Sequence, residues 1–148
     1  MSDNAAVSVS RVIDAPREEV FRAWTDPEEI KRWFGPGEFH TPEADVDLRP
    51  GGSYRFVMHP PEGNPMPISG TYQEIDAPER LVYTWKWEVD GMGDTESLVE
   101  VEFRDAGEDQ TEVVITHSRY EEAHTGEPYR MGWEGGLDKV EAMFTKAG

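Results

Sequence analysis

In GWEGGLDKVEAMF (residues 132–144) the apolar side chains return every three or four positions, after a long run of sequence in which they alternate singly. At about 100° per residue, Tyr129, Trp133, Leu137, Val140, Met143 and Phe144 share one arc, with Glu134, Asp138 and Glu141 outside it. This is an amphipathic helix that needs an apolar surface to lie on. Its glycines are unexpected, since each costs a helix interior about 1 kcal/mol relative to alanine. Gly136 falls inside the apolar arc, Gly132 at its margin and Gly135 outside it. Either the helix backbone approaches the sheet at Gly136, or the space stays open as part of a cavity.

The surface for this helix lies upstream. In RLVYTWKWEV (80–89), Leu81, Tyr83, Trp85 and Trp87 alternate with Val82, Thr84, Lys86 and Glu88, which is the pattern of a strand with one buried face. The same period runs through Val46 and Leu48, then through Tyr54, Phe56 and Met58 beyond a turn at Pro50-Gly51-Gly52, and through ISGTYQEI (68–75). It continues through Val99, Val101 and Phe103, and through Val113, Ile115 and His117. Short polar turns join these six strands, so neighbours are expected to pair antiparallel. Ahead of them, Val7, Val9, Val12 and Ile13 form a first strand that leads into DAPREEVFRAW (14–24), where Pro16 suits the first helical position. TDPEEIKRWF (25–34) repeats the device, with Asp26 as cap, Pro27 opening the helix, Glu29 at the capping-box position and Ile30, Trp33 and Phe34 buried.

The order strand, two short helices, six strands, long helix predicts one α+β domain over residues 1–148. A seven-stranded antiparallel sheet packs its apolar face on the C-terminal helix, because each element needs a partner for one face. A chain of 148 residues is long enough to bury such a core without disulfides, and it has no cysteine to form them.

The formal charge of −17 repels phosphate backbones and anionic headgroups, which argues against nucleic acid as a partner. No run approaches a membrane span and the first residues are not a signal peptide, so the expectation is a cytoplasmic protein. Five tryptophans, five tyrosines and six phenylalanines concentrate the apolar content in large rings. The four histidines show no HxH or HxxxH spacing, so neither a metal site nor a cofactor is expected. Glu100 and Glu102 lie two apart among polar neighbours, as on a solvated outer face, and no nucleophilic triad or phosphate-binding glycine loop is visible.

Read together, DAPREEVFRAWTDPEEIKRWFGP, DLRPGGSYRF, GTYQEIDAPERLVYTWKWE, TEVVITHSRY and GWEGGLDKVEAMF resemble the homologues of the activator of heat-shock protein 90 ATPase, in the START-like (SRPBCC) superfamily. The resemblance implies a helix-grip fold, a curved antiparallel sheet around a long C-terminal helix enclosing a largely apolar cavity. The eukaryotic activator carries an additional N-terminal chaperone-binding domain, whereas about six residues precede the first strand here. Relatives in the superfamily bind lipids, hormones or polyketides, and some are cyclases.

The expected activity is binding of a small apolar or amphipathic molecule by a monomer or homodimer. The alternatives are a cyclase- or hydrolase-type enzyme using the same cavity, and a chaperone-interacting or other protein-binding module. Cavity candidates are Trp33, Phe34, Tyr54, Phe56, Tyr72, Tyr83, Trp85, His117, Trp133, Gly136, Leu137 and Val140. Each has a plainer reading: the aromatics as core, His117 as a hydrogen-bonded core histidine, Trp33 and Phe34 as a seal under the small helices. An enzyme would draw polar groups from His117, the tyrosines and Glu74. A protein-binding module would expose Trp33, Phe34 and Phe39. If Gly136 borders an open cavity, even leucine is expected to be accommodated there.

Overall fold

The computed structural model describes residues 5–35, 38–88, 96–120 and 126–144, without the side chains of residues 5, 6, 87, 119, 120 and 126–129. The DGMGD turn, His124 and the side chains of Trp87 and Tyr129 therefore lie outside the described residues. The chain runs β1 (Ala5–Ile13), α1 (Arg17–Thr25), α2 (Pro27–Trp33), β2 (His40–Val46), β3 (Ser53–His59), β4 (Met66–Asp76), β5 (Arg80–Trp87), β6 (Ser97–Gly107), β7 (Gln110–Tyr120) and α3 (Gly126–Phe144). All seven strands form one antiparallel sheet in the order β1-β7-β6-β5-β4-β3-β2. The first two strands are thus opposite edges, and α1 and α2 carry the chain from one edge to the other. The sheet wraps around α3, which packs on β1, β7 and α2; this is the sheet-on-helix packing that the periodicity predicts and the helix grip that the resemblance implies.

The two short helices share one junction. Asp26 accepts from Glu28 N–H at 2.9 Å and so caps α2, while its own N–H closes the last turn of α1 on Arg22 O at 2.9 Å. The capping hydrogen bond, aided by Arg22, holds the Asp26 carboxyl below its ordinary pKa. Because that N–H is already committed, Glu29 does not close a capping box and pairs with Arg32 at 3.6 Å instead. Pro16 stands one residue earlier than expected, as the extended residue before α1.

Alternation correctly selects the inner face. In one row across the sheet, Tyr72 pairs with Tyr83, Tyr83 with Val99, Val99 with His117 and His117 with Val7. All five are buried. Two expectations fail. Leu48 does not share a strand face with Val46: β2 ends at Val46, the chain turns through Asp47–Gly52, and Leu48 is 43% exposed. Val82 and Thr84, on the outer face, are buried as well.

Thr84 lies where the β4–β5 ladder is interrupted. Its Oγ1 accepts from Thr71 N–H at 2.8 Å, and its carbonyl oxygen accepts from the Tyr54 hydroxyl. Gly70, the cross-strand partner of Tyr54, makes this crossing possible. A Cβ there would stand 2.0 Å from Thr84 O and 2.7 Å from Tyr54 Cε2. Further along the outer face Arg80 lies among Glu74, Glu100 and Glu102 at 3.4, 2.6 and 3.6 Å, so the paired glutamates belong to a partly solvated ion network.

α3 is tied down at its polar margin. Arg11 of β1 pairs with Asp138 at 2.8 Å and with Glu141 at 3.1 Å, and Lys139 Nζ donates to Phe39 O at 2.8 Å. No helix among the described residues is long and apolar enough to cross a membrane.

Candidate functional site

Between the sheet and the helices the large rings converge. Tyr54, Phe56, Tyr72 and Tyr83 project from the inner face, and Trp24, Ile30, Trp33 and Phe34 come down from α1, α2 and the residue after α2. Together they enclose a pocket of about 10 Å³, room for roughly one water. Among the described residues this pocket is therefore nearly filled by side chains. The rings meet at tilted and edge-on angles, Tyr54 to Tyr83 at 5.3 Å and Phe34 to Phe56 at 5.0 Å between centroids. Burial raises the pKa of all three tyrosines well above the ordinary phenol value, so they are neutral hydroxyls at any physiological pH.

Six of the pocket's eight residues are among the twelve candidates read from the sequence. The sequence reading omits Trp24 and Ile30. Both carry the signal of a buried helix stripe, but periodicity does not say that this stripe faces the three tyrosines.

Trp85, His117 and Trp133 form an adjoining cluster, joined to the pocket by Phe34, whose ring lies 5.8 Å from Trp85 and 6.4 Å from Trp133. Trp133 Nε1–H donates to His117 Nδ1 at 3.1 Å, which leaves the imidazole proton on Nε2. Nε2–H donates to Ser97 Oγ at 2.8 Å, and the Ser97 hydroxyl donates to Trp85 O at 3.2 Å. Desolvation pushes the His117 pKa down to about 3, so the ring is neutral. This is a relay of satisfied core groups, the plainer of the two readings of His117. Leu137 and Val140 are fully buried on the inward face of α3.

Gly136 does not border open space. A Cβ there would stand 3.3 Å from Cε3 and Cζ3 of Trp33, a ring pinned by its Nε1–H to Ala23 O at 2.7 Å and by Trp24 at 4.5 Å between centroids. The close approach is between α3 and α2, neither to the sheet nor to a void. The expectation that leucine fits is therefore corrected: Gly136→Leu drives a side chain into Trp33 and is expected to cost about 2 kcal/mol. At Gly132 nothing lies within 4 Å of an added Cβ, so Gly132→Ala is expected to stabilise by about 0.5–1 kcal/mol. Urea unfolding of the two variants checks the opposite signs.

Two other expectations also change. Glu74 points to the outer face, toward Arg80, and contributes nothing to the pocket. The proposed rim is not an exposed patch, because Trp33 and Phe34 are buried and Phe39 is partly buried against the core. Among the described residues no group of three or more His, Asp or Glu side chains is placed to hold a metal ion.

A sequence model of the Activator of Hsp90 ATPase homolog 1-like protein family matches residues 14–145. The chain belongs to that family. Solved structures agree with the helix-grip fold of the Activator of Hsp90 ATPase homolog 1-like domain. A Chromobacterium violaceum protein at 24% identity covers 96% of this chain and 98% of its own, with a TM-score of 0.87. An AHSA1 protein from Silicibacter pomeroyi, also 24% identical, covers 94% and 96% with a TM-score of 0.83. CalU16 from Micromonospora echinospora, 30% identical, covers 94% of this chain and 74% of its own, with a TM-score of 0.70. No curated protein matches the chain significantly.

Proposed function

We propose that this domain binds a small apolar or amphipathic molecule in the aromatic pocket between the sheet and the helices, non-covalently, in a conformation more open than the one described. The supporting observation is how the pocket walls are divided. Four of the eight lining residues belong to the sheet, and four to the α1–α2 segment, whose helices are only 9 and 7 residues long. Displacing that segment outward by a ring thickness would enlarge the pocket without breaking a strand ladder. Ligand sites of this kind are lined by aromatic and apolar groups with a few polar atoms to orient the guest, and the three neutral tyrosines are of that type. Membership of a family whose fold commonly holds ligands supports the same reading.

Native mass spectrometry of the purified protein, together with titration of Nile red, a neutral polarity-sensitive dye, tests the proposal. The expected result is a retained small molecule or saturable dye binding at one site per chain. A bare mass with no saturable binding up to the dye's solubility limit would overturn it.

A further inference from the structure

One polar group in the pocket is left over. The Trp24 indole is buried and its Nε1–H makes no hydrogen bond of ordinary geometry. It faces the Tyr83 hydroxyl, another of the pocket's lining groups. Buried donors in native proteins are nearly always well paired, so a donor left with only a poorly placed hydroxyl is a feature to be explained. Of the other indoles, Trp33, the one that also lines the pocket, donates to Ala23 O, while Trp133, which donates to His117, and Trp85 lie outside the lining. None of the eight lining residues is charged. A carboxylate or phosphate placed among them would be desolvated with no cation to pair with, which costs several kcal/mol. The formal charge of −17 acts in the same direction on any approaching anion.

We infer that the pocket selects a neutral, planar ring molecule bearing one acceptor oxygen, a ketone or similar group, taken by Trp24 Nε1–H with the Tyr83 hydroxyl as the neighbouring donor. This rests on reading the pocket as a ligand site. It adds that the guest is neither a fatty acid nor a phosphorylated lipid, and that it is more than a hydrocarbon. The tryptophan and tyrosine faces supply the contact area for the ring. The two polar hydrogens supply its orientation.

Three probes of nearly one shape separate the possibilities: 2-acetylnaphthalene, 2-naphthoate and 2-isopropylnaphthalene. They are titrated against the full chain at pH 7.5 in 0.5 M sodium chloride, which screens the surface charge and leaves the pocket's own preference. The acetyl compound is expected to bind about tenfold more tightly than the isopropyl compound, the worth of one good hydrogen bond, with naphthoate weakest. In Trp24→Phe, which keeps a ring and removes the N–H, the ratio of acetyl to isopropyl affinity is expected to fall toward one. Retained isopropyl binding shows that this variant is folded; if the variant is unfolded, Tyr83→Phe is put in its place and its ratio is expected to fall by a smaller factor. Naphthoate binding as tightly as the ketone, or a ratio unmoved in the folded variant, would overturn the inference and leave the pocket a ligand site. No binding of any probe would overturn both.

Discussion

Gly70→Ala is expected to destabilise the domain by about 4 kcal/mol. The new Cβ would stand 2.0 Å from the Thr84 carbonyl oxygen and 2.7 Å from the Tyr54 ring. The first is backbone in the middle of the sheet and cannot swing aside as a flexible side chain would. Overpacking alone costs about 1–3 kcal/mol. Displacing the Tyr54 hydroxyl from Thr84 O adds about 1 kcal/mol more, because the carbonyl is then buried without that donor. Tyr54→Phe removes only the hydroxyl and is expected to cost about 1–2 kcal/mol. Because the two changes act on one crossing, the double variant should be less destabilised than the sum. Urea unfolding of the four proteins measures this directly, and additive costs would show that Gly70 and Tyr54 act separately.

Acid is expected to weaken the fold through His117. The ring has a pKa of about 3 when folded, against an ordinary value of 6.5 that it regains on unfolding. The unfolded chain therefore takes up a proton below about pH 6.5 that the folded chain refuses until about pH 3. The stability contributed by neutral His117 is complete above pH 6.5 and is lost as pH falls, at a limiting rate of about 1.36 kcal/mol per unit, or about 3 kcal/mol by pH 4.5. His117→Gln keeps an acceptor and a donor without the titration. It is expected to be about 1–2 kcal/mol less stable at pH 7.5, because Trp133 and Ser97 are less well matched. The gap to the parent should close between pH 6.5 and 4.5, with the other histidines and the carboxylates common to both proteins. Parallel stability curves would mean that His117 is not a neutral buried group.

The elements that repeat were legible before any coordinates. Val99, Val101 and Phe103, or Leu81, Tyr83 and Trp85, face inward because a strand alternates its side chains whatever its neighbours are. The inner face of α3 follows from its 3.6-residue period in the same way, with Trp133, Leu137 and Val140 buried. The departures come where one element answers to another. Glu29 has the spacing of a capping box, but the N–H it would reach is held by the last turn of α1. Leu48 continues an alternation that the chain abandons at Asp47.

At the candidate site, composition and period alone determined that the interior would be crowded with rings and that a histidine would lie among them. Only the tertiary structure decided what those rings do to one another. Periodicity reports the direction of a side chain relative to its own element, and it carries no information about what meets that side chain from across the core. So the sequence could show Gly136 on an apolar arc but not that the Trp33 ring comes within 3.3 Å of where its Cβ would be. It could place His117 inward but not couple its two nitrogens to Trp133 and Ser97. It could bury Trp24, but whether the indole N–H would find a partner depends on the exact approach of Tyr83 from a strand some sixty residues away. Those distances are set by the packing of sheet against helices, and packing is a property of the assembled chain.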